Sequence, residues 1–277
     1  MTTTLLTRKT APETNIRFDL SAVVPTACTA NLGETRIPII DSCDHTTVDA
    51  LFTIAKANSI DDSDAKLVIE GDLSDCDRIA GDQTQGSLEI RGNAGNWLAD
   101  GMRGGEVSVM GNVLNFAGSG LINGKANVIG NAGDYVAGVD NRRRRGMRGG
   151  VLCIEGNSGD WLASRMRGGQ VITNGNTGLG SATDMIAGTV VFFKKPKIPI
   201  GLGARRGTLV MAYEGQFESP GFTSPESIEL SFLPMLTHWL NAHAKRELTI
   251  SKRGVKRSIG DRTNRGQSEI IFLNPIG

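Results

Sequence analysis

Arginine is the residue type in this sequence whose number and spacing indicate a binding function. Four arginines are consecutive, and four others share the position just before the small residues that close successive segments of a repeat. A guanidinium group binds a carboxylate or a phosphate through two parallel hydrogen bonds. The sequence therefore predicts a basic strip that binds acidic groups. Its candidate residues are Arg142, Arg143, Arg144, Arg145, Arg148, Arg167, Arg103 and Arg205, and Lys194, Lys195 and Lys197 extend it.

The residue types that usually perform catalysis are sparse or unsuitably spaced. The chain has three histidines, and it lacks the zinc-protease, paired-cysteine and nucleophile-elbow motifs. Cys43 and His45 are two positions apart, a spacing at which side chains on extended backbone rarely meet. Glycine-rich turns occur in every repeat without a following Lys-Ser or Lys-Thr, so they do not form a phosphate-binding loop. We therefore predict no catalytic residue and no metal site in this chain.

Eight regularly spaced segments form the scaffold that would position these arginines. The residue numbers of successive segment starts differ by 19 in five of the seven steps, and by 21 and 26 in the other two. A period near 19 is too short for helical repeats or propeller blades, and it fits one coil of a β-solenoid. The segments are Ala65–Gly71, Gly86–Gly92, Gly105–Gly111, Gly124–Gly130, Gly150–Gly156, Gly169–Gly175, Gly188–Lys194 and Gly207–Tyr213.

Alternation within the segments predicts half-buried strands. The second and fourth residues after each opening position are apolar in fifteen of sixteen cases, and the residues beside them are mostly polar or charged. This period of two is typical of a strand with one face in a core. Stacked coils would place such strands about 4.8 Å apart. The longest step, from Gly124 to Gly150, adds length to one coil, and we expect Arg142–Arg145 to project there as a loop.

Two further columns of similar residues recur at the same period. We interpret both as packing ladders, although an aromatic column could also bind a flat ligand or a sugar. Gly-Asn pairs after five segments suit a tight corner, because both residues tolerate positive φ. The columns are Trp97, Phe116, Tyr135 and Trp161, and Met102, Leu121, Met147, Met166 and Met185.

The chain divides into three parts: an N-terminal cap (1–64), a β-helix (65–215) and a C-terminal cap (216–277). The N-terminal cap is predicted to hold short strands at Ile16–Leu20 and Arg36–Ile40 and a helix at Thr47–Ala57. The C-terminal cap is predicted to hold an amphipathic helix from Leu233 to His243 and a terminal strand at Ser268–Leu273. Both caps would protect the open strand edges of a solenoid.

Composition narrows the classes of partner and the compartment. A formal net charge of +1 and the lack of aromatics interleaved with the arginines disfavour nucleic acid. Four cysteines without a paired motif and no secretory signal predict free thiols in a cytoplasmic protein. No apolar run is long enough to span a membrane. Acids dominate residues 41–82 and bases dominate residues 245–265, which indicates either solvated surface or complementarity to partner subunits.

The repeat G-x-(V/L/I)-x-(V/I)-x-G-N resembles the glycine-rich β-helix of the C-type subunit of formylmethanofuran dehydrogenase. The same domain forms the C-terminal part of the large subunit of glutamate synthase. The residues that carry the resemblance are Gly105–Asn112, Gly150–Asn157 and Gly169–Asn176, with Met-Arg-Gly-Gly turns before each of them. The resemblance covers essentially the whole chain, and it implies a right-handed solenoid of about eight coils.

Within this group we favour the C-type subunit of the bacterial formyltransferase/hydrolase complex of tetrahydromethanopterin-linked one-carbon metabolism, because the modest charged fraction and the four cysteines do not indicate a hyperthermophile. The resemblance implies a non-catalytic scaffold beside formyltransferase and amidohydrolase-like subunits. It implies no cofactor held by this chain alone, and a methanofuran-type carrier in the complex. The glutamyl tail of that carrier, an acidic partner subunit and plain solvent are the three alternatives for what the arginines contact.

Three other functions remain as alternatives at the level of sequence. The first is the C-type subunit of a tungsten or molybdenum formylmethanofuran dehydrogenase, which shares the same repeat. The second is a stand-alone β-solenoid enzyme acting on an acidic polymer, although no pair of carboxylates occurs at matching positions on adjacent coils, as such chemistry generally requires. The third is a coupling domain as in glutamate synthase, which would require fused catalytic domains that this sequence lacks.

Overall fold

The computed structural model describes residues 3–9, 16–27, 31–57, 65–139, 146–215, 218–243, 254–262 and 267–274. Within these ranges the protein is mostly β-structure. The N-terminal elements are β1 (Thr3–Arg8), β2 (Phe18–Asp19), β3 (Arg36–Pro38), β4 (His45–Thr47), α1 (Val48–Leu51) and β5 (Phe52–Ala57). The repeat contains β6 (Lys66–Glu70), β7 (Cys76–Asp77), β8 (Ser87–Arg91), β9 (Glu106–Val109), β10 (Lys125–Val128), β11 (Val151–Ile154), β12 (Gln170–Thr173), β13 (Thr189–Phe192) and β14 (Gly207–Glu214). The C-terminal elements are β15 (Glu226–Ile228), α2 (Leu233–His243), β16 (Val255–Gly260) and β17 (Ser268–Asn274).

One open sheet of thirteen strands organises the molecule. Its order is β15-β16-β17-β14-β13-β12-β11-β10-β9-β8-β6-β1-β5. The eight strands predicted from the repeat are all present and lie side by side in parallel, in chain order. Pairing keeps the repeat in register, so Ala126 lies opposite Val107 on one side and Leu152 on the other. A fixed register keeps every inward position on one face of the sheet.

The connections between the strands follow the same register as the strands. Single parallel bridges join Leu73 to Ala94, and then equivalent residues of each following repeat as far as Thr177. Asparagine side chains add a second link, because each accepts a hydrogen bond from a backbone N–H one repeat further on. Asn93 Oδ1, for example, accepts from the N–H of Asn112 at 2.9 Å. Adjacent repeats are therefore held together outside the sheet as well as within it.

The inward columns form the core, as the alternation predicts. The two apolar positions of each repeat strand are almost completely buried, from Leu67 and Ile69 to Leu209 and Met211. The methionine-rich column is buried with them, and Met102, Met147 and Met166 have no exposed surface. Thr173 is the polar exception among the inward positions, and it is buried too. The core thus runs continuously along one face of the sheet.

The outer face of the sheet changes character halfway along. The middle outward residue is polar on β8, β9 and β10, as with Glu89 on β8 and Ser108 on β9, whereas on β6 it is the buried Val68. On the later strands this position is apolar and buried. Helix α2 covers this apolar half with Leu240, in a second core cluster that also includes Val255. The four buried outward residues are Cys153 on β11, Ile172 on β12, Val191 on β13 and Val210 on β14.

Strands from the two ends of the chain extend the sheet beyond the repeat. At one end β1 pairs in parallel with β6, and β5 pairs with β1 in the antiparallel sense. At the other end β17 pairs in parallel with β14, followed by antiparallel β16 and β15. The C-terminal predictions are confirmed, since α2 spans Leu233–His243 and the terminal strand begins at Ser268.

The predicted helix at Thr47–Ala57 is wrong for most of its length. The chain is helical only over Val48–Leu51, and the following residues form strand β5. Pairing with β1 over six residues overrides the helical spacing of the apolar side chains. Strand β1 itself was not predicted. The short strands expected near Ile16–Leu20 and Arg36–Ile40 are present as β2 and β3, each shorter than predicted.

Candidate binding surface

Two of the candidate arginines lie side by side on adjacent repeats. The N–H of Arg148 donates to Leu121 O at 2.8 Å, and the N–H of Arg167 donates to Met147 O at 2.8 Å. These equivalent bonds place the two residues at the same point of successive repeats, about 4.8 Å apart along the stack. Both side chains are exposed. Their guanidinium groups can therefore contact one extended acidic ligand or one acidic surface together.

The other two candidates of this column are separated from that pair by isoleucines. Ile122 occupies the same position between Arg103 and Arg148, and Ile186 occupies it between Arg167 and Arg205. Arg103 and Arg205 are exposed. Each is about two repeat spacings, or roughly 10 Å, from the central pair. The basic column is thus a close pair with one more distant cation on either side.

The run of Arg142, Arg143, Arg144 and Arg145 lies outside the described residues, but the structure shows where the chain enters and leaves it. The N–H of Val139 donates to Ser164 Oγ at 3.2 Å, and the Ser164 hydroxyl donates to Val139 O at 3.1 Å. The N–H of Gly146 donates to Arg165 O at 3.0 Å. The described residues that flank this segment, Val139 and Gly146, are therefore anchored beside Ser164 and Arg165.

The aromatic column forms a continuous stack close to that point. Ring centroids are 4.0 Å apart for Trp97 and Phe116, 5.1 Å for Phe116 and Tyr135, and 6.4 Å for Tyr135 and Trp161. Neighbouring ring planes are within 11° of parallel. All four residues have positive φ, between 58° and 65°. Shared backbone geometry at one corner of each repeat thus aligns the rings, as expected for a packing ladder.

The stack ends at Gly180 because the Trp161 ring occupies the space of the next side chain. A Cβ at Gly180 would lie 2.8 Å from Trp161 Cε3. Gly180 also has a φ of +71°, which glycine adopts readily. Trp161 is 41% exposed, so part of the last ring of the stack faces solvent.

A small cavity of about 100 Å³ lies beside Trp161. Arg165 and Asp184 form an ion pair of 3.7 Å at its wall. Neither residue was predicted from the sequence, although they lie one repeat period apart, carry opposite charges and occupy the same position of adjacent repeats. The lining residues are Tyr135, Val139, Trp161, Ser164, Arg165, Thr183 and Asp184.

The thiols and imidazoles considered for catalysis have structural neighbours. Burial raises the pKa of the Cys76 thiol well above its ordinary value, with the nearby Asp75 carboxylate adding to the effect, so it stays protonated and unreactive at neutral pH. His45 lies against the Arg36 guanidinium, 2.6 Å from Nε2, rather than against Cys43. His243 stacks on Trp239 with ring centroids 4.4 Å apart.

The described residues offer neither a metal-binding cluster nor a membrane-spanning helix. No group of three or more histidine, cysteine, aspartate or glutamate side chains among them is placed to hold a metal ion. No helix within those ranges has the length and apolar character needed to cross a membrane. Cys43, Cys76 and Cys153 form no disulfide bond with one another, and Cys28 lies outside the described residues.

A solved structure resembles this chain along its whole length. The chain is similar to a chain in the crystal structure of the formyltransferase/hydrolase complex from Methylorubrum extorquens, which was determined in complex with methylofuran. The two chains share 28% sequence identity with a TM-score of 0.82, over 99% of this chain and 100% of the other. No family model matches the sequence, and no curated protein matches it. The likeness supports a role in a complex of this kind.

Proposed function

We propose that this chain is the C-type subunit of a formyltransferase/hydrolase complex and that it serves the complex as a non-catalytic scaffold. The observation that carries the proposal is the likeness to a chain of such a complex over 99% of this sequence. A likeness that extends over both caps is more specific than one confined to a glycine-rich repeat. It favours the formyltransferase/hydrolase assembly over the metal-dependent dehydrogenase that shares the repeat.

The fold proposed for the repeat is a right-handed parallel β-helix. Parallel strands in register, bridges between equivalent turn residues and the asparagine links all support this description. Such a stack has few ways to rearrange, because each repeat is hydrogen-bonded to the next both within the sheet and outside it. A rigid rod with exposed charges on its turns is suited to positioning other subunits rather than to undergoing a catalytic cycle.

The proposed reaction of the complex moves a formyl group from formyl-tetrahydromethanopterin to a methanofuran-type carrier and then releases formate by hydrolysis. The related complex contains methylofuran. In this proposal Arg148 and Arg167, with Arg103 and Arg205 on either side, contact carboxylates of the carrier's glutamyl tail. Their exposure and spacing support this role, because an extended acidic chain can contact several cations along the stack. The segment Arg142–Arg145 would add cations close to Arg148.

Co-expression tests whether the chain belongs to such a complex. The chain would be produced with the other chains of the complex encoded in the same genome, and the mixture separated by size-exclusion chromatography with light scattering. We expect one species that contains this chain and releases formate from the formylated carrier. Elution of this chain alone, with the remaining chains assembled and fully active without it, would contradict the proposal.

A binding measurement tests the role of the arginines separately. A fluorescent hexaglutamate peptide would be titrated with the wild-type protein and with the double variant Arg148→Gln/Arg167→Gln. We expect binding to weaken about tenfold or more, because two charge-assisted contacts are lost. Lys9→Gln/Arg36→Gln is the matched control, since it also removes two positive charges and both residues are exposed in the N-terminal cap, away from the column. Equal weakening in the control would show that peptide binding follows overall charge only.

A further inference from the structure

A cluster of large apolar side chains is exposed near the C-terminal end of the repeat. Trp161 is 41% exposed, Leu179 is 49%, Ile198 is 52% and Leu202 is 37%. Single exposed apolar residues are common on protein surfaces, but contiguous groups mark sites of interaction. These four residues therefore indicate an interaction site only if they are neighbours on the surface.

Backbone contacts show that they do. The N–H of Trp161 donates to Leu179 O at 2.7 Å, so these residues are neighbours on adjacent repeats. Ile198 lies one repeat period after Leu179, and the hydrogen-bonded register of the backbone continues across this step, which places the two residues in one column. Leu202 O accepts from the N–H of Asp184 at 2.7 Å, and Asp184 lines the same cavity as Trp161. The four residues thus share one corner of the last repeats, which we call the apolar corner.

The apolar corner is held in place before any partner arrives. The Trp161 ring is fixed by the stack beneath it and by its fit over Gly180. Leu179 is held by a bond of 2.7 Å from its N–H to Asp160 Oδ1. A preorganised tryptophan loses little conformational freedom on binding, and tryptophan is among the residues that most often dominate the energy of an interface.

Cations border the apolar corner. Lys194, Lys195 and Lys197 closely precede Ile198, Arg205 follows Leu202, and all four cations are exposed. None of these four forms an ion pair with another residue in the described ranges. Charges at the rim of an interface are usually matched by opposite charges on the partner. The surface that fits here therefore has an apolar centre and an acidic rim.

Two other occupants fit less well. A second copy bound through a two-fold axis would bring the same cations against each other, because both copies present the same patch. A small ligand would need a cavity of several hundred Å³. The cavity of about 430 Å³ that Ile198 lines is formed with Glu218 and Phe222 and not with Trp161 or Leu179, so a ligand there would leave the centre of the apolar corner uncovered. The cavity beside Trp161 measures about 100 Å³, which can accept one side chain of a protein partner but not a cofactor-sized molecule.

We infer that the apolar corner is a docking surface for a different protein chain, one that presents apolar side chains surrounded by Asp and Glu. The inference rests on the proposed function, under which that chain is another subunit of the formyltransferase/hydrolase complex. Trp161, Leu179 and Ile198 form the centre of the contact. Lys194 and Lys197 steer the approach of the acidic partner and fix its orientation.

The experiment compares charge insertions at two equally exposed places. Leu179→Glu and Ile198→Glu, alone and combined, would be co-expressed with the other chains of the complex from the same genome. Met110→Glu is the matched control, because Met110 is also 49% exposed but directly follows β9, away from the apolar corner. We expect the affinity of the combined variant for the other subunits to fall about 30-fold or more. The control should stay within about threefold of the wild type.

The outcomes distinguish an error in the docking surface from an error in the proposed function. If the wild type and the combined variant assemble equally well, the docking surface is wrong and the proposed function stands. If the wild type fails to assemble with those chains, the proposed function fails and the docking surface fails with it. Circular dichroism would check that the variants fold. Lys194→Glu/Lys197→Glu gives a second test, because it leaves the apolar residues intact and should slow association most strongly at low salt.

Discussion

The two ends of the sheet are closed in different ways. At the N-terminal end charged pairs tie β1, β2 and the first repeats together. At the C-terminal end α2 packs on the buried outer face through apolar contacts. The first end pairs charged side chains with each other, whereas the second buries apolar surface. The pairs at the N-terminal end are Arg8 with Asp75 at 2.6 Å, Arg17 with Asp77, and Arg78 with Asp19 at 3.3 Å.

The outer face of the sheet repeats this contrast. On the earlier strands Glu89 contacts Lys66 at 2.8 Å and Arg91 at 2.7 Å, and Arg91 also contacts Glu70 at 2.8 Å. On the later strands the same face is apolar and covered. The burial of the later half is achieved by the chain's own C-terminal residues.

The difference indicates where the proposed partner would bind. Among the described residues of the N-terminal end, Ile16 is the exposed large apolar side chain, and the cations Arg8, Arg17 and Arg78 are in ion pairs. The C-terminal repeats still expose the apolar corner, and the lysines beside it lack ion pairs with described residues. Another protein can stabilise a surface whose apolar side chains are uncovered and whose cations lack ion pairs within their own chain. We therefore expect the proposed partner to bind at the C-terminal repeats and not at the N-terminal end.

Removing Asp75 should have the largest effect on the ionic end. The Arg8 side chain is only 4% exposed and lies 5.3 and 5.4 Å from the centres of the Phe18 and Phe52 rings. Asp75→Asn would leave a buried cation without its counter-ion, a change that costs about 3–5 kcal/mol. The double variant Arg8→Met/Asp75→Asn removes the buried cation as well, so it should reduce the free energy of unfolding by less than Asp75→Asn alone. Urea denaturation measures both, and equal losses would show that the buried charge is not what destabilises Asp75→Asn.

Shortening a residue under α2 should have the largest effect on the apolar end. Ile172 is fully buried between the sheet and the C-terminal cluster. Ile172→Ala should reduce the free energy of unfolding by about 2–5 kcal/mol, because it removes buried methyl groups and leaves a cavity. Ser108 holds the equivalent position on β9 without that cover, so Ser108→Ala should change stability by less than about 0.5 kcal/mol. Similar losses at both positions in urea titrations would contradict the contrast between the two halves.

The repeat was predictable from sequence because its information is local and redundant. Inward positions such as Val107 and Val109 recur once per repeat, and eight copies of a weak pattern fix the strands, their order and their direction. The C-terminal helix and strand were predictable from local patterns too, since Leu233–His243 has apolar residues at helical spacing and the terminal strand contains the continuous apolar run Ile270–Leu273. The surface that the helix covers was not predicted.

That surface had a signal that could have been used. Cys153, Ile172, Val191 and Val210 make the outward position apolar on four consecutive strands, and strands apolar on both faces need a cover on both faces. Strand β1 had no such signal, because its partner β6 is distant in the chain and the residues of β1 form no repeat. The apolar corner was also missed, because its residues come from several repeats and the sequence does not show that their side chains are exposed.

The end of the aromatic stack gives a smaller and sharper test of how the apolar corner is built. Gly180→Ala adds a Cβ about 2.8 Å from the Trp161 ring at a φ of +71°, so we expect a loss of about 1–3 kcal/mol. In a Trp161→Ala background the steric part disappears, and the same change should cost only the backbone strain of about 1–2 kcal/mol. A double-mutant cycle by thermal or urea denaturation measures this coupling. Additive losses would mean that Trp161 does not rest on Gly180 in solution.

The smallest expected effect concerns the charged network on the earlier strands and depends on pH. Hydrogen bonds from Lys66 and Arg91 hold the pKa of Glu89 below its ordinary value. A carboxyl group whose pKa is lowered by folding stabilises the protein above its ordinary pKa of about 4.3, and this contribution is lost as pH falls through the lower, folded value.

Glu89→Gln should therefore cost about 0.5–1 kcal/mol at pH 7, because solvent and salt screen a network of this kind near the surface, and the difference from wild type should shrink below pH 4. Urea titrations between pH 3 and 7 measure it. Glu106→Gln is the control, since Glu106 pairs with Lys125 at 3.3 Å but is 49% exposed, and its effect should be smaller. If the cost of Glu89→Gln stays constant across that range, the loss comes from packing, and the earlier strands are then not held by charge in the way that separates them from the apolar half.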